Sequence, residues 1–148
     1  MSEPIGVFER QRQIIAADCD ALGHVNNAVW VRFLADLAEA HAEVLGIDHA
    51  GMAALGGAWV ARTHTVHYYG EAWPGDTINE QTWVSSLKGP RCLRHYRFTN
   101  EAGELLFRGD TEWIFVDVDE HRPRRLTQAV IDKFTQVAGD SSSGPEVG

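Results

Sequence analysis

An α+β fold, with a curved antiparallel sheet of about five strands wrapped around one long central helix, is what the order of segments in this chain predicts. Three observations carry the expectation. A single amphipathic stretch over residues 27–45 keeps a helical period for about five turns. Four strand-like segments follow it. The connections between the later strands are too short for crossovers, so neighbouring strands run antiparallel.

Taken in order, residues 11–17 mix Ile14 and Ile15 with polar side chains and predict a first strand. The run Asp18-Cys19-Asp20-Ala21-Leu22-Gly23-His24-Val25-Asn26-Asn27 leads into the helix, with Asn26 and Asn27 as cap residues. Val29, Phe33, Leu34, Leu37, Ala38, Val44 and Leu45 recur at helical spacing until Gly46 stops the segment. Residues 46–57, rich in Gly, Ala and Met, read as a connector with a short helical turn. Strands are expected near residues 59–69, 77–87, 91–99 and 105–117. They are broken by Trp73-Pro74-Gly75-Asp76, Lys88-Gly89-Pro90 and Asn100-Glu101-Ala102-Gly103. A terminal helix over residues 126–137 has Thr127 as a cap and Val130, Ile131, Phe134 and Val137 on one face. Residues 1–138 are expected to form one domain, and 139–148, with three consecutive serines, a flexible tail.

Composition narrows the function. With 13 basic and 21 acidic side chains the formal charge is -8, which disfavours nucleic acid as a partner. No apolar run approaches the roughly 20 residues of a membrane span, and the start of the chain has no basic region ahead of an apolar one, so a cytoplasmic protein is expected. Cys19 and Cys92 are too few for a disulfide framework and lie in no metal-ligand spacing. No metal or redox cofactor is expected. Lys88, Arg91, Arg94 and Arg97 place four cations within ten residues of an acidic chain, enough for a local phosphate-binding patch or for ordinary surface charge. Arg122, Arg124 and Arg125, preceded by Asp117, Asp119 and Glu120, read as a solvated turn.

The most informative chemistry lies in the run 18–27, where a carboxylate precedes a helix start. The first turn of a helix offers free backbone N–H groups that stabilise an oxyanion, and a carboxylate beside it serves as nucleophile or general base. The bland alternative is a loop that only caps the helix. The string DCDALGHVNNAVW resembles the signature of hotdog-fold acyl-CoA thioesterases of the 4-hydroxybenzoyl-CoA thioesterase family. The segment order over about residues 9–135 resembles that family as well.

That resemblance implies a hotdog fold, hydrolysis of an acyl-CoA to free acid and CoA, and a homodimer or dimer of dimers with sites at the subunit interface. It places the catalytic carboxylate at Asp20. Strand alternation alone does not choose between Asp18 and Asp20. Asp20 would either attack the thioester carbonyl or activate water. The backbone N–H of Asn27 takes the oxyanion position, and His24 ranks second as an acid or base or as a loop-orienting residue. Lys88 and Arg91 fall where the family carries basic residues toward coenzyme A, the carrier part of the substrate. Trp30, Phe33 and Trp59 read as packing residues or acyl-pocket walls. Asp36 and Glu39 on the helix stand in reserve, since other hotdog branches place a carboxylate there. Cys19 lacks any visible base that would make its thiol a nucleophile. The rival readings are an acyl-carrier-protein thioesterase and a non-catalytic acyl-CoA-binding protein of the same fold.

Overall fold

The computed structural model describes residues 5–140, with side chains over 6–134. Five strands, β1 (Ile5–Gln13), β2 (Gly57–Tyr68), β3 (Thr77–Lys88), β4 (Arg91–Thr99) and β5 (Leu105–Asp117), form one sheet of order β1-β3-β4-β5-β2. Every pairing is antiparallel. Register shifts near Gly6, Arg62, Ser85 and Leu106 bend the sheet. Three helices complete the fold: α1 (Asn27–Leu45), α2 (His49–Ala54) and α3 (Gln128–Asp140).

The helix α1 has the predicted bounds for the predicted reasons. Asn26 caps it by accepting from Ala28 N at 2.8 Å, and Gly46 ends it in the left-handed region at φ 74°. Its buried stripe runs Trp30, Phe33, Leu34, Leu37, Ala38, His41, Ala42 and Leu45, a strict three-and-four alternation. That period corrects one expectation: Val44 falls outside the stripe and is 69% exposed, while the polar His41 falls inside it.

The first strand is also corrected. It lies earlier than residues 11–17, because Arg10 and Arg12 are drawn into the ladder with β3, where both guanidinium groups bind the buried Glu80 at 2.8 and 2.7 Å. Beyond Gln13 the chain turns. Ile14 N donates to Asp76 O, and Asp18 reaches back to accept from Ile15 N, winding Ala16–Asp18 into a 3-10 turn with Ile15 outside. The terminal helix starts where Thr127 Oγ accepts from Val130 N, and it continues through Gly139 to Asp140. The rest of the expected tail, 141–148, lies outside the described residues.

Two apolar clusters flank a polar belt. One joins Trp30, Phe33, Leu34 and Leu37 to Ile78, Tyr96, Phe98 and Phe107; the other joins Ala42, Leu45 and Met52 to Val84, Cys92, Phe115 and Phe134. Strand and helix register place Glu80, Thr82, Arg94, Thr111 and His41 between them, all buried. Among the described residues no helix is long and apolar enough to cross a membrane.

Candidate active site

The loop ahead of α1 is pinned from every side. Cys19 and Val25 form an antiparallel bridge, Asp20 N donates to His24 O, and Gly23 N donates back to Asp20 O. Gly23 sits at φ 90°, a conformation closed to most side chains, so the tight reversal requires glycine. Val25 N donates to Ala72 O, tying the loop to the turn before β3. The ring of Trp73 from that turn meets His24 edge-on at 5.6 Å. The hydroxyl of Tyr68, the last residue of β2, donates to Asn27 O at 3.1 Å and holds the helix start in place.

The two aspartates that sequence spacing leaves equivalent have different surroundings. Asp18 is buried, accepts from Ile15 N at 3.1 Å and takes Arg32 Nη2 at 3.0 Å on its other oxygen. Both of its oxygens are committed to the fold. Asp20 is half-buried and accepts from Leu22 N at 2.9 Å through one oxygen. Its other oxygen has no hydrogen bond or cation among the described residues. The Asn27 N–H at the helix start has no acceptor among the described residues either. The arrangement therefore leaves one carboxylate oxygen and one helix N-terminal donor free in the same loop.

His24 is held by Val25 O at 3.2 Å on Nδ1 and faces Glu71 at 3.7 Å on Nε2. Cys19 directs its thiol toward Ile15 O at 3.7 Å, and desolvation together with Asp18, Asp20 and Asp76 raises its pKa, which keeps it protonated. Asp36 faces Arg12 at 3.6 Å, whereas Glu39 lines a cavity farther along α1.

Other candidates lie elsewhere. Trp30, 1% exposed, stacks on Phe107 at 5.5 Å inside the core. Trp59 lines a cavity of about 400 Å³ against Ala35, Ala38, Ala42 and Met52, beside the second half of α1. Lys88 and Arg91 flank the turn at the far end of β3, whose near end adjoins the Asp20 loop. Eleven residue steps of strand separate the two, about 35 Å, so one protomer does not bring them together. Arg91 is ion-paired with Glu112, and Lys88 is exposed.

The four-cation cluster divides by strand parity. Arg91 and Arg97 share the outer face of β4, while Arg94 points inward and is 4% exposed. Arg122 pairs with Glu120 on an exposed turn as expected, whereas Arg124 is half-buried: besides Asp117 it binds Leu55 O at 2.6 Å and lies 4.8 Å over the Phe115 ring, which corrects the solvated-turn reading there. Two groups escaped the motif reading. On the outer face Ser85, His95 and Asp110 form a hydrogen-bonded line across β3, β4 and β5, away from the cavity that Trp59 lines. Inside, Arg94, His41 and Thr82 form a network that helix and strand periods, used together, would have located. Among the described residues no three His, Cys, Asp or Glu side chains are grouped to hold a metal ion.

Comparison with known proteins agrees with this architecture. A model of the thioesterase-like superfamily matches residues 15–134. The acyl-CoA thioester hydrolase YbgC of Escherichia coli is 31% identical over 133 residues, covering 88% of this chain and 97% of its own. DHNA-CoA thioesterase from Staphylococcus aureus superposes with a TM-score of 0.80 at 22% identity, over 95% of this chain and 97% of its own. A hypothetical protein from the same organism, solved in complex with CoA, superposes at 0.85 with 12% identity, over 100% of this chain and 97% of its own. The chain belongs to the thioesterase-like superfamily, and its sheet and long helix are the expected hotdog fold.

Proposed function

We propose that this protein hydrolyses acyl-CoA thioesters to a free acid and CoA, with Asp20 as the reacting carboxylate and Asn27 N–H as the oxyanion donor. The relative named an acyl-CoA thioester hydrolase supports the reaction. The observation that carries the residue assignment is the loop itself: Asp18 is consumed by Arg32 and Ile15, while Asp20 keeps an open oxygen beside a helix start.

In this mechanism the thioester oxygen points at Asn27 N–H, where the positive end of the helix dipole stabilises the charge that develops on it. Asp20 then either attacks the carbonyl carbon, giving a mixed anhydride that water cleaves, or removes a proton from an attacking water. In both routes the C–S bond breaks and CoA leaves as a thiolate, which takes its proton from the protonated Asp20 in the water route and from solvent in the anhydride route. His24 is assigned to orienting the loop through Val25 and Trp73.

The reading includes a homodimer, alone or as half of a tetramer. β2 is an edge strand of 12 residues with most of its side chains exposed, and an uncovered edge of that length calls for a partner. A second copy also supplies a route for Lys88 and Arg91 to reach the nucleotide phosphates at a site whose Asp20 belongs to its neighbour. The unpaired cysteines suit a reducing cytoplasm. The test is thiol release from a panel of short, long and aryl acyl-CoAs by the wild type and by Asp20→Asn. Release that is lost in the variant supports the reading. Absence of release from every substrate, or equal release by both proteins, overturns it.

A further inference from the structure

Two charged side chains lie in the buried belt, and they are matched differently. Glu80, fully buried, receives two guanidinium groups, one on each oxygen. Arg94 has no carboxylate within 4.0 Å among the described residues. Among the described residues its hydrogen bonds run through Nη1 alone, to His41 Nδ1 at 2.8 Å and Thr82 Oγ at 3.1 Å, and its guanidinium lies 6.0 Å from the centre of the Phe134 ring. Glu80 does not neutralise it: Glu80 stands opposite Phe98, four residues and about 13 Å along β4 from Arg94. A buried charge without a counter-ion is costly, and a fold that compensates one such charge twice leaves the other open.

The open charge borders a cavity. Arg94 lines the same space of about 400 Å³ as Trp59, within the size range of small-molecule sites, and its other neighbours there include Ala42, Met52, Cys92 and Phe134. The missing partner has a definite chemistry. Burial and the charge of Arg94 lower the pKa of His41 to about 3, so His41 is neutral, accepts from Arg94 through Nδ1 and carries its proton on Nε2. That Nε2 is buried and has no partner among the described residues. Both underused groups, the rest of the guanidinium and His41 Nε2–H, are donors, and of the two residues only Arg94 lines the cavity, so what the cavity lacks is an acceptor for the guanidinium. The carboxylates bordering the cavity do not supply one: Asp48 caps α2 through Gly51 N at 3.0 Å, and Glu39, like His49, is exposed to solvent at the mouth.

We propose that this cavity binds a free carboxylic acid with an apolar body, its carboxylate paired with the Arg94 guanidinium. The site is separate from the Asp20 loop of the same protomer. Arg94 is level with His41, fourteen helical residues and about 21 Å from Asn27. The ligand's body packs against Trp59, Met52 and Phe134, and burial around it strengthens the ion pair.

Trp59 and Trp113 both border the cavity and report on it. Tryptophan fluorescence of the full chain titrated with octanoate should change saturably, and octanamide, equal in length but uncharged, should bind at least tenfold more weakly. Arg94→Gln should abolish that preference. Ala42→Leu, which keeps Arg94 and fills the space, should abolish octanoate binding, with far-UV circular dichroism recording that each variant is folded. Equal affinity for octanoate and octanamide overturns the proposal, as does octanoate binding that survives Ala42→Leu. These two arms decide the matter even if Arg94→Gln fails to fold. Thiol release dependent on Asp20 is measured separately, so failure here leaves the hydrolase reading standing.

Discussion

The two halves of α1 use charge in opposite ways. At its N-terminal end an anion is left open on a tightly tied loop, with one Asp20 oxygen and the Asn27 N–H unpaired among the described residues. Toward its C-terminal half a cation is buried, with Arg94 bound, among the described residues, only to neutral groups beside a cavity. A solvated carboxylate costs the fold little and is available for chemistry. A buried guanidinium costs several kcal/mol unless something pairs with it, and so points to recognition rather than turnover. The contrast teaches that the residue resembling a catalytic motif and the residue under the greatest electrostatic demand are not in the same place.

The largest test of the contrast is at the free carboxylate. Asp20→Asn should lower kcat by about a hundredfold or more while leaving folding intact, the size expected for a positioned nucleophile or general base. Near-normal turnover would turn attention to His24 or Glu39. Mixing Asp20→Asn with a Lys88→Ala, Arg91→Ala double variant sharpens it. If each site draws on two copies, half of the re-equilibrated dimers gain one intact site, and a component with the wild-type KM appears at about a quarter of wild-type kcat. If each protomer is self-sufficient, only the raised KM of the double variant is seen.

The buried end should show itself in acid. Burial and Arg94 depress the folded pKa of His41 to about 3, so protonation favours the unfolded chain. Its contribution is complete above the ordinary histidine value near 6.5 and is lost as pH falls toward 3. Between pH 7 and 5 this amounts to about 2 kcal/mol, read from urea midpoints, and His41→Leu should flatten that part of the profile. An unchanged slope would mean that His41 is not held neutral.

Asp18→Asn removes the charge that Arg32 meets but not the shape of the turn. It should cost about 1 to 2 kcal/mol in urea unfolding with kcat nearly preserved, the reverse of Asp20→Asn. The smallest effect is expected at the basic turn. Lys88→Ala with Arg91→Ala should raise KM for acyl-CoA severalfold, leave kcat similar, and differ less from wild type as salt is added. Arg91 is already matched by Glu112, so Lys88 should supply the greater part. Equal loss on acyl-pantetheine, which lacks the nucleotide phosphates, would assign these residues to the fold instead.

Several features were legible in the sequence because local rules determine them. Asn26 and Gly46 mark the ends of α1 through cap geometry, and the turns around Pro74, Gly89 and Gly103 set three strand boundaries to within two residues. The motif and its family likeness pointed to Asp20 and Asn27 together. Other features needed the third dimension. The first strand was misplaced because its partner β3 lies about seventy residues away, and Glu80, not local apolarity, draws Arg10 and Arg12 into the ladder. Asp18 and Asp20 share a spacing and a residue type; only Arg32, one helical turn inside α1, separates structural anion from free one. The four basic residues from Lys88 to Arg97 look like one patch along the chain because sequence distance ignores which side of a pleat a residue faces. Strand alternation turns Arg94 inward, and the packing of α1 then sets His41 against it. Caps and turns are short-range interactions that neighbours in the chain can specify, whereas the match or mismatch of a buried charge depends on groups that only folding brings within reach.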